Sequence, residues 1–326
     1  GLAGKSVRRY LATTALTATG LMALAAPSLA GDYSDHVAFE GAISHDTSVP
    51  NVTTTTQYTH LAKVRGDGDL DSKITWNLIQ PSNSSIYALY DTEADPSYVL
   101  GNINANGKFY IFDQNGVIFG EGSQVNVGSI IASTGSISDE NLNAGRLVFE
   151  NVGGEGKIIN KGTISVAEAG LAAFVAPGVE NAGVINAKMG KVVLASGNTV
   201  TLDLYGDNLV EIAVDGKLEN ALVKNSGTIN AEGGSVALSA QAAKSAVDNV
   251  INMDGVVNVS SVSVRGGKII LGGGNKGTVK VSGKLKADGK NAGGSVKVTG
   301  ENVDVSVAGL LSADAIENGD GGMIYV

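Results

Sequence analysis

The sequence predicts an all-β solenoid, a chain that winds through short strands and stacks each turn on the one before. Three observations predict it. Apolar runs of three to five β-branched residues are bounded throughout by Gly and Asn, and no segment carries a convincing helical stripe. A pentad recurs as NKGTI at Asn160, NAGVI at Asn181 and NSGTI at Asn225, at steps of 21 and 44 residues. A second signature interleaves as MGKVVL, GGSVAL, GGKIIL, GGSVKV and GGMIYV, with final glycines at Gly190, Gly234, Gly267, Gly294 and Gly322. Periods of this size belong to solenoids or propellers, and neither the regular leucines of leucine-rich repeats nor the aromatic signature of WD-type blades is present.

The coil accounts for the composition. Turns stack roughly 4.8 Å apart, so inward positions repeat Val, Ile and Leu. Glycine and asparagine are expected at corners where φ turns positive. The 44-residue step reads as two turns of 22. About nine turns are then expected after residue 150, a rod some 40 Å long. The run LSAQAAKSAVDN, residues 238–249, is the one place for a short helix and is expected to loop outward. The chain starts with Gly and stops within GGMIYV, which reads as a piece of a longer rod with an uncovered strand edge.

Residues 1–30 read as an export signal. Lys5, Arg8 and Arg9 give a basic start, LATTALTATGLMALAA an interrupted apolar run, and Ser28 and Ala30 the small residues before cleavage. Ala12 stands where the twin-arginine route wants a bulky apolar residue, so the general secretory route is favoured and the mature chain begins near Gly31. No second apolar span suggests a membrane helix. The absence of cysteine excludes disulfide staples and any thiolate ligand or nucleophile. Glycine is frequent, 45 of 326 residues, and eight of the sixteen aromatic residues fall between Trp76 and Phe119. The chain therefore has an aromatic-rich section to about residue 150, then a tract of Gly, Val, Ile, Ala, Asn and Ser.

Catalytic chemistry is thinly supplied. Coil enzymes that cut polysaccharides need clustered carboxylates, and Asp203, Asp207 and Glu211 are the nearest approach to a cluster. They read better as solvated loop acids. His36, His45 and His60 lack metal-ligand spacing. Asp67 to Ser72 imitates a calcium loop but has Ser72 for the required glycine and Leu78 for the closing Glu, so an exposed acidic turn is expected. No cofactor, metal or nucleic-acid partner is expected. From Arg265 to Lys297 eight basic residues meet one acid, Asp288, in a chain of net charge −9. Alternation points Lys280, Lys284 and Lys286 outward, and with Arg265, Lys268 and Lys297 they make a candidate stripe for anionic surfaces or glycans. Lysines that only keep a sheet soluble and guard its edges are the plainer reading.

Residues 107–122, GKFYIFDQNGVIFGEG, place Asp113-Gln114-Asn115-Gly116 between two apolar runs. Asn-Gly alone suggests a two-residue hairpin. The stretch 78–134 resembles the N-terminal secretion domain of filamentous-haemagglutinin-like exoproteins of two-partner (type Vb) secretion. Gln80, Pro81, Ser84 and Ser85 match its first motif. Ala105, Asn106, Gly107, Asn115, Gly116, Val117, Phe119 and Gly120 match its core, and Gln124 to Gly128 with Ala132 to Thr134 its tail. Where the family has Asn-Pro-Asn-Gly, this chain has Asp113-Gln114-Asn115-Gly116. The resemblance implies a right-handed parallel β-helix, with residues 31–150 forming a β cap and first coils and residues 151–326 a repeat shaft. It implies that Asn106, Gly107 and Asp113 to Gly116 belong to the address read by the periplasmic receptor domains of an outer-membrane barrel transporter. It also makes Asp113 to Gly116 a coil corner rather than a hairpin. The expected product is a secreted, cell-surface adhesin of a Gram-negative bacterium and not an enzyme. A polysaccharide-degrading enzyme, the stalk of a contact-dependent toxin and a self-contained autotransporter remain alternatives.

Overall fold

A computed structural model describes residues 31–57, 60–205, 209–213, 218, 220–242, 249–262 and 266–326. The expected signal segment, Arg265, Asp207 and residues 243–248 of the expected outward loop lie outside the described residues. The chain forms a parallel β-helix with three long sheets. The first sheet has eleven strands, from Val37–Glu40 to Met323–Tyr325. The second has eleven, from Ala42–Ser48 to Leu310–Ser312, and the third has eight, from Ser97–Val99 to Asn302–Val305, counted among the described residues. One complete turn runs Lys108–Phe112, Gly116–Phe119, Gln124–Val127 and back to the first sheet at Ser129–Ser133. Within the coil, strands pair in parallel with their equivalents one turn away, as Ile130 does with Phe109 and with Ala172.

The repeat reading needs one correction. After residue 150 the third sheet has six strands among the described residues, not nine turns' worth. The 44-residue step is one turn, because Asn181 pairs directly with Asn225. The extra length leaves the coil as a hairpin, Val200–Asp203 with Leu209–Ile212, which joins Leu147–Phe149 in a small antiparallel sheet.

The glycines of the two repeat signatures also have a different cause from the one expected. Gly162, Gly183, Gly227, Gly255 and Gly283 are not in the positive-φ region. A Cβ on each of the last four would sit inside contact distance of the carbonyl oxygen of the glycine one turn earlier. Gly190, Gly234, Gly267, Gly294 and Gly322 form a second such column. Close stacking of backbone on backbone, rather than corner φ, excludes side chains there.

Asparagine forms a ladder inside the coil. Asn160 Nδ2 donates to Asn181 Oδ1 at 2.8 Å, and Asn181 Nδ2 donates to Asn225 Oδ1 at 2.7 Å. All three are fully buried. The same column continues as Met253, Val281 and Val305. A partly exposed amide ladder runs along the second sheet through Asn77, Asn104 and Asn126.

The aromatic-rich section closes one end of the coil. Val37–Glu40 and the hairpin Ala42–Ser48/Asn51–Gln57 add antiparallel strands to the first and second sheets. Inside, the Trp76 ring meets Tyr33, Tyr87 and Phe109 edge-on, at centroid distances of 4.8, 5.3 and 5.4 Å. Its indole N–H donates to Thr54 Oγ1 at 2.8 Å. Such rings fill the interior far better than the Val and Ile of later turns, and edge contacts add to their burial.

A second core lies outside the coil. The outer face of the first sheet carries Ala88, Tyr110, Ile131, Ala173 and Val193, all buried. They are covered by Ile137, Leu142, Leu147 and Phe149 from the segment after Ser133 and by Val200 and Leu202 from the hairpin. This segment holds a helix, Asp139–Asn143, that the sequence reading missed. Ser138 caps it by accepting from Asn141 N, with Asp139 and Glu140 in the first turn, a start signal present in SDEN but followed by too few residues to show a stripe. Lys63 ties the layers together, bridging Glu40 at 2.6 Å and Asp139 at 2.8 Å. Burial works to lower its pKa, but the hydrogen bonds it donates to Asp139 and Glu40 outweigh it and keep the ammonium charged.

Candidate functional site

Asp113 to Gly116 turns the chain from the first sheet to the third. Gly116 N donates to Asp113 O at 3.0 Å, closing a four-residue turn with Asp first and Gly last. Asn115 N donates to Asp113 Oδ1 at 2.8 Å, and Asn115 Nδ2 to Glu93 O at 3.1 Å. Only Gly116 takes a positive φ, +117°; Asn115 does not. The two-residue hairpin suggested by Asn-Gly alone is therefore not formed.

Asp113 is an internal anchor. Its Oδ2 accepts from Ser97 N at 2.7 Å and from Ser97 Oγ at 2.8 Å, which locks the corner onto the preceding turn. Burial raises its pKa, opposed by the hydrogen bonds from Asn115 and Ser97. Gln114, by contrast, is exposed. It lines a cleft of about 1190 Å³ with Asp113, Asn115, Thr134, Ser136, Asn151 and Glu155. Asp91, Asp113 and Glu155 face this cleft and no lysine or arginine does. Thr134, the last residue of the tail motif, is buried on its wall with its hydroxyl unpaired.

Asn106 and Gly107 sit at the other end of the same strand, Lys108–Phe112, and do not join this cleft. They form a clamp with Gln80. Gln80 N donates to Asn106 Oδ1 at 2.7 Å, Asn106 Nδ2 to Gln80 O at 2.8 Å, and Gly107 N to Gln80 Oε1 at 3.0 Å. Gln80 Nε2 also donates to Ser85 O at 2.9 Å. The first and core motifs are thus adjacent coils pinned to each other, and their residues divide into an inward-bonded clamp and a corner with an exposed tip.

The basic tract does not make a stripe. Lys268 and Lys297 lie on the first sheet, Lys280 on the third, and Lys284 and Lys286 on the second. A run that is linear in sequence is wound around all three faces by turns of this length. Alternation does point them outward: Val279, Val281 and Leu285 between them are buried. Lys280 stands in register with Asp304.

The Asp67 to Ser72 turn is not an exposed acidic loop. Asp69 is buried and its Oδ1 accepts from Tyr98 N at 2.6 Å. Asp67 Oδ1 accepts from Asp69 N at 2.9 Å, and Asp71 Oδ1 from Lys73 N at 2.8 Å. These carboxylates satisfy backbone donors at the capped end. Asp203 and Glu211 lie on the hairpin that leaves the coil, both exposed.

His36 lies beside the aromatic plug. Its Nε2 donates to Asp67 O at 2.9 Å and its Nδ1 accepts from the Tyr87 hydroxyl at 2.8 Å. Burial lowers its pKa to about 4. The ordinary histidine value is higher, so its contribution to stability is fully present above about pH 6.5 and is lost as the pH falls toward 4, about 3 kcal/mol in all. Asp69, pushed by burial to about 6, acts oppositely, favouring the folded state as it protonates. A urea series from pH 7 to pH 4 is expected to show falling stability in the native chain and a flatter profile in His36→Gln.

Fold and corner together define a class: a parallel β-helix whose capped first coils carry a rigid turn with an exposed tip. The chain belongs to the TPS (two-partner secretion) secretion domain family, which it matches over residues 92–287. Members of this family are exported across the outer membrane of Gram-negative bacteria with the help of an outer-membrane transporter. The fold is that of the HMW1 secretion domain from Haemophilus influenzae, with a TM-score of 0.72 at 22% identity over 89% of this chain and 72% of that one. The filamentous hemagglutinin secretion domain matches with a TM-score of 0.50 at 14% identity, over 88% of this chain and 99% of that one. Two Heme/hemopexin-binding proteins of Haemophilus influenzae are related in sequence, at 28% identity over 199 residues (59% of this chain) and 26% over 261 residues (71% of this chain). The chain spans 22% and 28% of their lengths.

Proposed function

We propose that this chain is the transporter-addressing part of a secreted exoprotein, with residues 1–30 as export leader, 31–150 as cap and address, and 151–326 as the start of a display shaft. The periplasmic receptor domains of a partner barrel read the address, and the shaft serves surface adhesion without enzymatic chemistry. The observation that carries this reading is the division within the secretion motif. Asp113 and Asn115 are spent on internal hydrogen bonds, while Gln114 is exposed at the tip of a rigid turn beside an acidic cleft. A rigid turn with one free side chain is suited to being read by another protein at low entropic cost. Gln114→Arg tests it, since that side chain has no internal partner to lose. Capture of the chain by the purified receptor domains of the transporter is expected to fall about tenfold or more with the urea midpoint unchanged. Equal capture would remove the corner from the address.

A second reading follows from the relatives named for heme and hemopexin binding. The whole exoprotein then carries a haem-related cargo rather than an adhesive surface. A haem titration of the chain, followed by its absorption spectrum, separates the two.

A further inference from the structure

The geometry points to a binding site for a carboxylate-headed amphiphile in the pocket between the helix Asp139–Asn143 and Leu204 and Tyr205, which follow the strand Val200–Asp203. The pocket holds about 520 Å³, within the range of small-molecule sites. It lies against the outer face of the first sheet, away from the cleft beside Asp113.

Its walls are leucines, Leu142, Leu147, Leu171 and Leu204, drawn from the helix, the strand after it, the coil and the hairpin. Lys108 and Lys191 line it and no acid does, in a chain whose net charge is −9. Neither lysine is in an ion pair among the described residues; Lys191 lies 5.7 Å from the centroid of the Tyr205 ring, which is 98% exposed at the mouth.

The floor supplies the second observation. Tyr110 is only 3% exposed and lines the pocket, yet its hydroxyl makes no hydrogen bond. Burial holds the phenol above its ordinary pKa, so it stays protonated and able to donate. Beside it, Ser129 Oγ accepts from Leu171 N at 3.0 Å, which leaves its own proton to donate. Bonded to no protein group, the Tyr110 hydroxyl faces the pocket space, where a ligand oxygen can accept from it. Two lysines, a phenol and a serine hydroxyl lining one leucine-walled pocket can provide donors for a carboxylate and an apolar trough for its chain. A sugar would leave the leucines unmatched, and a phosphate-rich ligand would lack the backbone nest it usually occupies.

Calorimetric titration of the chain with dodecanoate below its micellar concentration tests the proposal, with dodecanol and dodecyltrimethylammonium as neutral and cationic controls. Dodecanoate is expected to bind at one site, and the two controls at least about tenfold more weakly. Tyr110→Phe removes a hydroxyl that bonds to nothing in the protein, so the melting temperature should hold while dodecanoate affinity falls about threefold to tenfold. Lys108→Gln with Lys191→Gln should lower it about tenfold or more at unchanged fold. No dodecanoate binding, equal binding of dodecanol, or unchanged affinity in both the phenol and the lysine variants overturns the site.

Discussion

Gly116→Val is expected to disrupt the coil at the Asp113 corner and to abolish release of the protein from cells carrying its partner transporter. Gly116 is held at φ +117°, where a β-branched residue is strained. Its missing Cβ would collide with the carbonyl oxygen of Lys157 and lie 2.8 Å from the Lys157 nitrogen, both backbone atoms that cannot swing away. Gly116 is also the first residue of its strand, in register with Lys157, and its N–H closes the Asp113 turn. Strain, collision and lost pairing act on one residue, so a loss of about 4 kcal/mol or more is expected. Asn115→Ala is the control: it removes one hydrogen bond to Glu93 O and should cost about 1 kcal/mol. Urea unfolding of both variants, with secretion assayed in parallel, checks the order. A valine variant as stable as the native chain would mean that the corner is not rigid.

The second large effect is expected at Asn181. It is the middle rung of the buried ladder, accepting from Asn160 and donating to Asn225. Asn181→Ala leaves Asn225 Oδ1 without its donor and Asn160 Nδ2 with only a 3.3 Å bond to Val184 O, in addition to a cavity. Each stranded buried group costs about 1–3 kcal/mol, so a total of about 3–6 kcal/mol follows. Replacing all three rungs with valine should recover most of that loss. The same column already continues as Met253, Val281 and Val305, so the backbone accepts apolar side chains at this position. A triple variant no more stable than Asn181→Ala would show that the amides do more than satisfy one another. One candidate is the bond from Gly162 N to Asn160 Oδ1 at 3.1 Å.

Much of the winding was legible in the sequence because coil stacking repeats residue types at matched positions. The two repeat signatures are the two glycine columns, and the asparagine pentads are the ladder. Spacing misled where the chain leaves the coil. Nothing in 44 residues distinguishes two short turns from one turn with a hairpin, since both are β-rich with polar corners. The second core was hidden for a related reason. Ala88, Tyr110, Ile131, Ala173 and Val193 face outward from strands that read as continuous apolar runs, and a run without alternation does not say which side is covered. The corner at Asp113 to Gly116 was found by its motif. What motif matching could not supply was direction: Asp113 faces inward to Ser97, and only Gln114 is left facing out. The lysines misled because linear proximity was read as facial proximity.

The ring cluster around Trp76 makes the two ends of the molecule unequal. A coil is costly to nucleate, since its first turn orders many residues before any ladder exists to reward them. At the capped end that deficit is offset by four interlocked rings, whereas further along the coil the interior holds only the stacked pair Phe119 and Phe174 among the described ring contacts. Winding therefore has a preferred origin and a single sense of growth, like a zip with its slider fixed at one end. A strand appearing out of order has no template, and it is expected to order only once its predecessor is in place.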